Sequence, residues 1–250
     1  MKPDRPTQAG YNESFLEITA RNNRCVIMKM FQPNFWLAKR TVVRRRLTWP
    51  ALVIGLAISV TLCVGALHTL HPVLAVNSPL DHCDVLVVEG WAPDYAVAVA
   101  ADSFRRGETT RLFTTGIPIE RGGMLVPWQN FANVAEATLV KLGVADERII
   151  PVATPARRKD RTEASAESLK AAIEQTELST SSPRRFNVLT LGPHARRTQL
   201  VYRRTFGKDW EIGIISVPSQ EYDPEHWWRS SAGVKAVAGE ALALVYTWFR

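Results

Sequence analysis

The sequence is poor in cysteine, with three residues in a chain of 250: Cys25, Cys63 and Cys83. Cys63 lies within a long apolar segment, and a membrane crossed by that segment would separate Cys25 from Cys83. No pair can therefore form inside one folded domain, and the spacing matches no zinc-ligand pattern. These absences exclude a disulfide-stabilised scaffold and predict no metal site.

Familiar nucleotide-binding and hydrolase signatures are also missing. The chain contains no Gly-x-Gly-x-x-Gly, Walker loop, Gly-x-Ser-x-Gly or His-Glu-x-x-His. Dinucleotide, triphosphate and zinc chemistry therefore have no support in the sequence, and we predict no cofactor. There is also no internal repeat and no low-complexity tract.

Most of the chain lacks an excess of positive charge. The formal net charge is +7, but residues 1–70 contain 10 Lys/Arg and 3 Asp/Glu, whereas residues 71–250 contain 21 of each kind. A charge-balanced domain offers no electrostatic footprint for a phosphate backbone. The distribution therefore excludes nucleic acid as a partner.

The longest stretch without a charged residue runs between Arg46 and Asp81. Its apolar centre, residues 49–67, is long enough to cross a bilayer as a helix, which takes ~20 residues. Five basic residues precede it: Lys39, Arg40, Arg44, Arg45 and Arg46. The positive-inside rule then places the N-terminus in the cytoplasm. We predict a single-pass protein of the bacterial inner (plasma) membrane, with the lipid bilayer as a partner and the domain outside the cytoplasm.

Three alternatives compete with this membrane helix: a buried core helix, a cleaved signal peptide and a lipoprotein signal. Length and flanking charge favour an uncleaved anchor. The predicted organisation is a basic, disordered cytoplasmic tail over 1–47, a transmembrane helix over 48–70, a linker over 71–83 and an α/β domain over 84–250.

Within the domain, short apolar runs alternate with helical periodicity. The runs predict strands at 84–89, 111–115, 148–152, 186–191 and 210–217, several of them ended by glycine. Helices are predicted at 94–106, 127–142, 162–174 and 233–249, with another between the fourth and fifth strands. This alternation predicts a Rossmann-like three-layer sandwich with a mostly parallel sheet of about five strands.

In such folds, ligands bind beyond the carboxyl ends of the strands. Four predicted loops carry polar groups to that edge. We predict His194 and Glu89 as catalytic residues, His194 because an imidazole can transfer a proton near neutral pH. The predicted ligand-binding residues are Gly90, Thr115, Gly116, Arg161, Thr162, Ser165 and Arg197. A helix N-terminus beside Arg197 favours an anion such as phosphate or carboxylate.

Structural explanations remain open for several of these residues. Thr162 is also a candidate helix cap, with Ser165 packed against the sheet. Glu89 is suited to bonding nearby backbone N–H groups, and an isolated histidine such as His194 is often a surface residue. A further three aromatic residues could form a substrate wall or, as we favour, pack against the final helix: Tyr222, Trp227 and Trp228.

The order of these motifs resembles the YdcF/SanA/ElyC family of bacterial Rossmann-like envelope proteins. The resemblance covers about Asp84 to Phe249. It rests on Asp84 through Glu89-Gly90, on Thr115-Gly116, on Thr162-Glu163-Ala164-Ser165-Ala166 and on His194-Ala195-Arg196-Arg197. Glu89 replaces a usual glycine, and Ser165 replaces a usual asparagine. Members are similar to this chain in having an N-terminal anchor, and the resemblance implies a role in the cell envelope and peptidoglycan.

Together these features predict a membrane-anchored envelope protein that binds an anionic small-molecule or lipid-linked ligand bearing phosphate, such as a peptidoglycan precursor. The hypothesis extends to a reaction of that ligand in the same site. The competing hypothesis is a non-catalytic scaffold that recruits other envelope proteins, and a third is a small-molecule sensor that reports through the basic tail.

Overall fold

A computed structural model describes residues 48–176 and 184–250 of the chain. The predicted disordered tail, residues 1–47, lies outside the described residues. The domain is the predicted α/β sandwich, built on a five-stranded, all-parallel sheet with strand order β3-β2-β1-β4-β5. The strands are β1 Val85–Glu89, β2 Arg111–Gly116, β3 Ile149–Ala153, β4 Arg185–Leu191 and β5 Glu211–Val217.

Six α-helices accompany the strands in the described part of the chain: α1 Trp49–Leu74, α2 Asp94–Arg105, α3 Phe131–Lys141, α4 Arg161–Glu174, α5 Ala195–Phe206 and α6 Ser231–Trp248. Two helix starts differ from the sequence prediction by two residues or more, because side chains cap the helices. Asn130 accepts a hydrogen bond from the N–H of Asn133, so α3 begins at Phe131 instead of residue 127. Ser230 accepts one from the N–H of Gly233, so α6 begins two residues earlier than predicted.

The sheet is buried on both faces, which explains why its strands read as continuous apolar runs. All five residues of β1 are buried. On one face, α4 and α5 contribute a core that includes Leu169, Tyr202 and Phe206. On the other face, α2 and α3 contribute Val97 and Leu139 among others.

The strand order reverses direction between β1 and β4. The chain moves outward from β1 to β3 and then returns to place β4 on the other side of β1. Loops leave β1 and β4 in opposite directions at such a point, which opens a crevice at their carboxyl ends. Glu89 ends β1, and the 3-10 helix Gly192–His194 directly follows β4. The topology thus brings these two loops to one crevice.

Helix α1 is long enough and apolar enough to cross a membrane. Its residues are exposed as far as Ala66, and its last two turns pack against the domain. Leu74 lies in a small core with Tyr222, Trp227 and Val237. The indole N–H of Trp227 also donates to the carbonyl of Leu67 over 2.9 Å.

The segment after α1 is fastened to the edge of the sheet. Ser78 forms an antiparallel bridge with Ile214 of β5, and the amide of Asn187 exchanges two hydrogen bonds with the main chain of Leu80, at 2.8 and 3.0 Å. Asn77 accepts from the N–H of Ser216 near the end of β5. The chain therefore runs antiparallel to β5, and α1 joins the domain at the carboxyl edge of the sheet.

Candidate active site

A cavity of about 730 Å³ opens at the carboxyl edge of the sheet. Seven of the nine predicted site residues line it: Glu89, Gly116, Arg161, Thr162, Ser165, His194 and Arg197. Gly90 and Thr115 lie behind its wall, where the N–H of Gly90 donates to the carbonyl of Thr115 over 2.7 Å. A cavity of this size accommodates a small organic ligand.

His194 lies at the centre of the polar groups. It is buried, and Gly192 before it has a left-handed φ of 46°, which turns the chain sharply out of β4. The Nδ1 atom lies 2.9 Å from Oε1 of Glu240, and the Nε2 atom lies 3.7 Å from Oε2 of Glu89. The imidazole therefore stands between two carboxylates.

The contacts of His194 define which proton-transfer states are available. Nδ1 also lies 2.9 Å from a terminal nitrogen of Arg197, so it either donates to Glu240 or accepts from Arg197. Within the described residues, Nε2 has no hydrogen-bond partner although it is buried. When Nδ1–H donates to Glu240, neutral His194 presents the lone pair of Nε2 to the cavity, where it can accept a proton.

Glu240 is the site residue that the sequence prediction missed. It projects from α6, and its carboxylate accepts from Nε of Arg197 at 2.8 Å and from a terminal nitrogen at 3.1 Å. Burial alone would raise the pKa of Glu240, but the hydrogen bonds from His194 and Arg197 outweigh it and lower that pKa to about 2. Glu240 is therefore a stable anion that orients His194, as the third member of a catalytic triad orients its base.

Arg197 serves this cluster and does not face the cavity as a free anion clamp. Besides its two bonds to Glu240, it donates to the hydroxyl of Thr162 over 3.1 Å. The alternative role of Thr162 as the helix cap is wrong, because Thr162 is the second residue of α4 and Asp160 occupies the cap position. The hydroxyl of Ser165, which also lines the cavity, accepts from Thr154 at 3.4 Å.

Glu89 is buried at the end of β1, where the hydroxyl of Thr190 donates to its carboxylate. The phenol of Tyr202 lies beneath it, and burial, reinforced by the charge of Glu89, raises the pKa of Tyr202 well above its usual range. The inner cavity thus holds two carboxylates against one guanidinium.

Two glycines at the floor of the cavity allow the backbone to approach α3 closely. A Cβ on Gly90 would lie 2.3 Å from the carbonyl oxygen of Phe131, and one on Gly116 would lie 2.4 Å from the nitrogen of Ala132. Both neighbours are backbone atoms of α3, so they cannot move aside cheaply. These glycines bring the first two strands against the start of α3 instead of contacting a ligand through side chains.

The outer rim of the cavity is basic. Arg158, Lys159 and Arg161 line it, and all three are exposed. Arg161 is held by Glu120 at 2.9 Å. Asp160 between them has a left-handed φ of 57° and pairs with Arg250. A non-glycine residue in this conformation stores strain, which is common beside ligand sites.

Within residues 48–176 and 184–250, no cluster of three or more His, Cys, Asp or Glu side chains is arranged to hold a metal ion. Comparison of the chain with models of protein families, with curated proteins and with solved structures finds no match. The chemistry of the site itself is therefore the guide to function.

Proposed function

We propose that this chain is a membrane-anchored protein of the bacterial cell envelope whose extracytoplasmic domain binds a phosphate-bearing envelope ligand and transfers a proton to or from it through His194. One observation carries the proposal: the imidazole stands between Glu240 and Glu89 inside a cavity of ligand size.

The chemistry follows from the two contacts of the ring. Glu240 fixes Nδ1 and stabilises the imidazolium that forms when Nε2 takes a proton. Glu89, on the Nε2 side, can receive that proton or position a ligand hydroxyl. A histidine with one carboxylate on Nδ1 and another near Nε2 is suited to general acid–base catalysis.

The distribution of charge indicates how the ligand is oriented. The two inner carboxylates would repel a phosphate, whereas Arg158, Lys159 and Arg161 at the rim would attract it. We therefore place the phosphate at the rim and a neutral, hydroxyl-bearing part of the ligand beside His194. Trp91, whose ring centroid lies 4.9 Å from that of His194, offers an apolar surface for a sugar ring.

The cellular setting rests on α1 and on the sequence. A helix suited to spanning a membrane precedes the domain, and basic residues precede that helix. The resemblance to the YdcF/SanA/ElyC family supports a place in cell-wall biogenesis and peptidoglycan maintenance. These features favour a lipid-linked precursor over a free metabolite.

The test is calorimetric binding of a polyprenyl phosphate and of a nucleoside diphosphate sugar to the full chain in detergent micelles, followed by a search for turnover. We expect saturable binding by one of the two, and at least about tenfold weaker binding or slower turnover for His194→Ala. His226→Ala is the matched control, since His226 is partly exposed, pairs with Asp223 and does not line the cavity. Binding that is equal in all three proteins, or absent from the native chain, would overturn the proposal and favour the scaffold.

A further inference from the structure

Helix α6 crosses the mouth of the cavity at the carboxyl edge. Its inner side supplies Glu240 to His194 and lines the cavity with Ala243, Tyr246 and Thr247. Arg250, just beyond its end, pairs with Asp160 and Glu163 at the start of α4. The helix therefore spans the mouth from the α1 side to α4, with one long side facing away from the protein.

That outward side is apolar. We define the outer face of α6 as Val234, Leu242, Val245, Trp248 and Phe249, all of which are exposed. The exposed fractions of Leu242, Trp248 and Phe249 are 73, 71 and 88%. Lys235 and Glu240 are the charged residues of α6, and Glu240 points inward. An exposed apolar strip with aromatic residues at one end is typical of a helix that lies at a membrane surface.

The position of α1 puts this face beside a bilayer. The last two turns of α1 pack on the same edge of the domain, where Nε of Arg196 donates to the carbonyl of Val73 over 2.9 Å. Residues 49–66, which precede these contacts, would span about 27 Å at the rise of an α-helix. That length nearly fills the ~30 Å of hydrocarbon, so little helix remains as a spacer between the bilayer and the domain.

We propose that the outer face of α6 docks on the bilayer that α1 crosses, so that the cavity opens at the level of the lipid headgroups. The inference rests on the proposed membrane anchor and deepens the proposed function, because it makes the ligand an amphiphile already resident in that membrane. Its chain stays in the bilayer, and its phosphate meets the basic rim.

Charge favours a lipid surface over a second copy of the chain as the occupant. The exposed cations of the rim, Arg158, Lys159 and Arg161, lie at the same edge as the apolar face. Basic groups beside an apolar helix face match the anionic headgroups and hydrocarbon boundary of a bilayer. A second copy related by symmetry would bring the same cations toward one another.

The experiment measures lipid contact at three positions of the full chain in vesicles of phosphatidylethanolamine and phosphatidylglycerol. Cys25 and Cys63 are replaced by serine, and Cys83, which is buried, is retained. A fluorophore is then attached to Leu242→Cys on the outer face, to Val60→Cys in α1 or to Lys208→Cys. Lys208 is exposed and precedes β5, so it lies at the opposite edge of the sheet. Nitroxide-labelled lipid is the quencher.

We expect quenching at Leu242 and Val60 to be several-fold stronger than at Lys208. Adding Val245→Asp and Phe249→Asp to the Leu242 probe should reduce its quenching to the level at Lys208, which excludes insertion by the dye alone. Quenching at Val60 without quenching at Leu242 would overturn the docking and leave the anchor intact. Quenching at neither position would overturn the anchor and the docking together. If the Leu242 probe is not quenched and unlabelled Leu242→Cys forms disulfides between copies, the outer face of α6 contacts a second copy of the chain instead of the bilayer.

Discussion

Removing the charge of Glu240 should destabilise the protein and do so in a pH-dependent way. In Glu240→Gln the side chain keeps its size, but the guanidinium of Arg197 loses an anionic partner that it contacts at 2.8 and 3.1 Å. The carboxylate is about one-fifth exposed, so water can compensate only partly. Loss of charged hydrogen bonds at such a site costs about 2–3 kcal/mol near pH 7.

The lowered pKa of Glu240 leads to a cost of the same order, because the same hydrogen bonds from His194 and Arg197 stabilise its carboxylate. A pKa of about 2, against an ordinary value of 4.5, corresponds to roughly 3 kcal/mol, at 1.36 kcal/mol for each tenfold change in proton affinity. Because the pKa is lower in the folded state, the contribution is complete above pH 4.5. It declines as the pH falls from 4.5 towards 2, where folded Glu240 becomes protonated.

The assay is urea unfolding of the full chain in detergent, followed by tryptophan fluorescence, at several pH values from neutral to acidic. The difference in free energy of unfolding between the native chain and Glu240→Gln should be constant above pH 4.5 and shrink below it. Glu174→Gln, an exposed change on α4, should show no difference at any pH. A difference that persists unchanged in acid, or that is missing at pH 7, would refute the assigned role of Glu240.

Three further sets of substitutions test how the site is built and how α1 and the segment after it are attached to the domain. Gly90→Ala or Gly116→Ala should lower the free energy of unfolding by about 1–3 kcal/mol through overlap with α3. Gly239→Ala is the control: the new methyl group meets open space in α6, so the change should be neutral or stabilising by about 0.5–1 kcal/mol. Equal effects at the three glycines in thermal unfolding would contradict the close approach of the strand ends to α3. Asn187→Ala should lower the free energy of unfolding by about 2 kcal/mol and speed proteolysis between Leu74 and Val85, because it removes the hydrogen bonds to both main-chain groups of Leu80. Unchanged proteolysis would contradict the attachment of this segment to the sheet. Trp227→Phe should cost about 1 kcal/mol through the lost bond to Leu67, and an unchanged urea midpoint would count against that contact.

The fold and the meeting of Glu89 with His194 can be predicted from local sequence patterns. Apolar runs ended by glycine predict the strands, and a parallel sheet forces their carboxyl ends to one edge. Glu89 ends β1, and His194 ends the short 3-10 helix that follows β4, so the reversal of strand order between these neighbouring strands brings the two residues together. No long-range information is needed for that pair beyond the topology itself.

Glu240 could not be predicted in the same way, because it belongs to a helix that crosses the sheet edge instead of covering a face. The path of α6 depends on packing with α1 and α5 and on the pairing of Arg250 at the start of α4. One local signal does exist. Glu240 is the single acidic residue of a largely apolar helix whose other charged residue is Lys235, and an isolated carboxylate in such a setting marks a specific partner.

The same tertiary contact changes the role predicted for Arg197. From its place one turn into α5, the sequence predicts a cation free to hold an anion. In the structure, Glu240 and Thr162 take its donors, and the basic groups available to a ligand lie farther out. The sequence thus predicts that Arg197 lies at the site, whereas its free or paired state depends on Glu240 and Thr162, which are distant in sequence.

We propose above that a membrane-resident, phosphate-bearing ligand enters the cavity beside His194. Photocrosslinking of the full chain in vesicles, with a polyprenyl phosphate that carries a diazirine near its phosphate, tests this claim most directly. We expect adducts on residues that line the cavity mouth, such as Tyr246 and Arg161, and competition by the unlabelled lipid. Adducts confined to α1, or adducts that the unlabelled lipid does not displace, would contradict it.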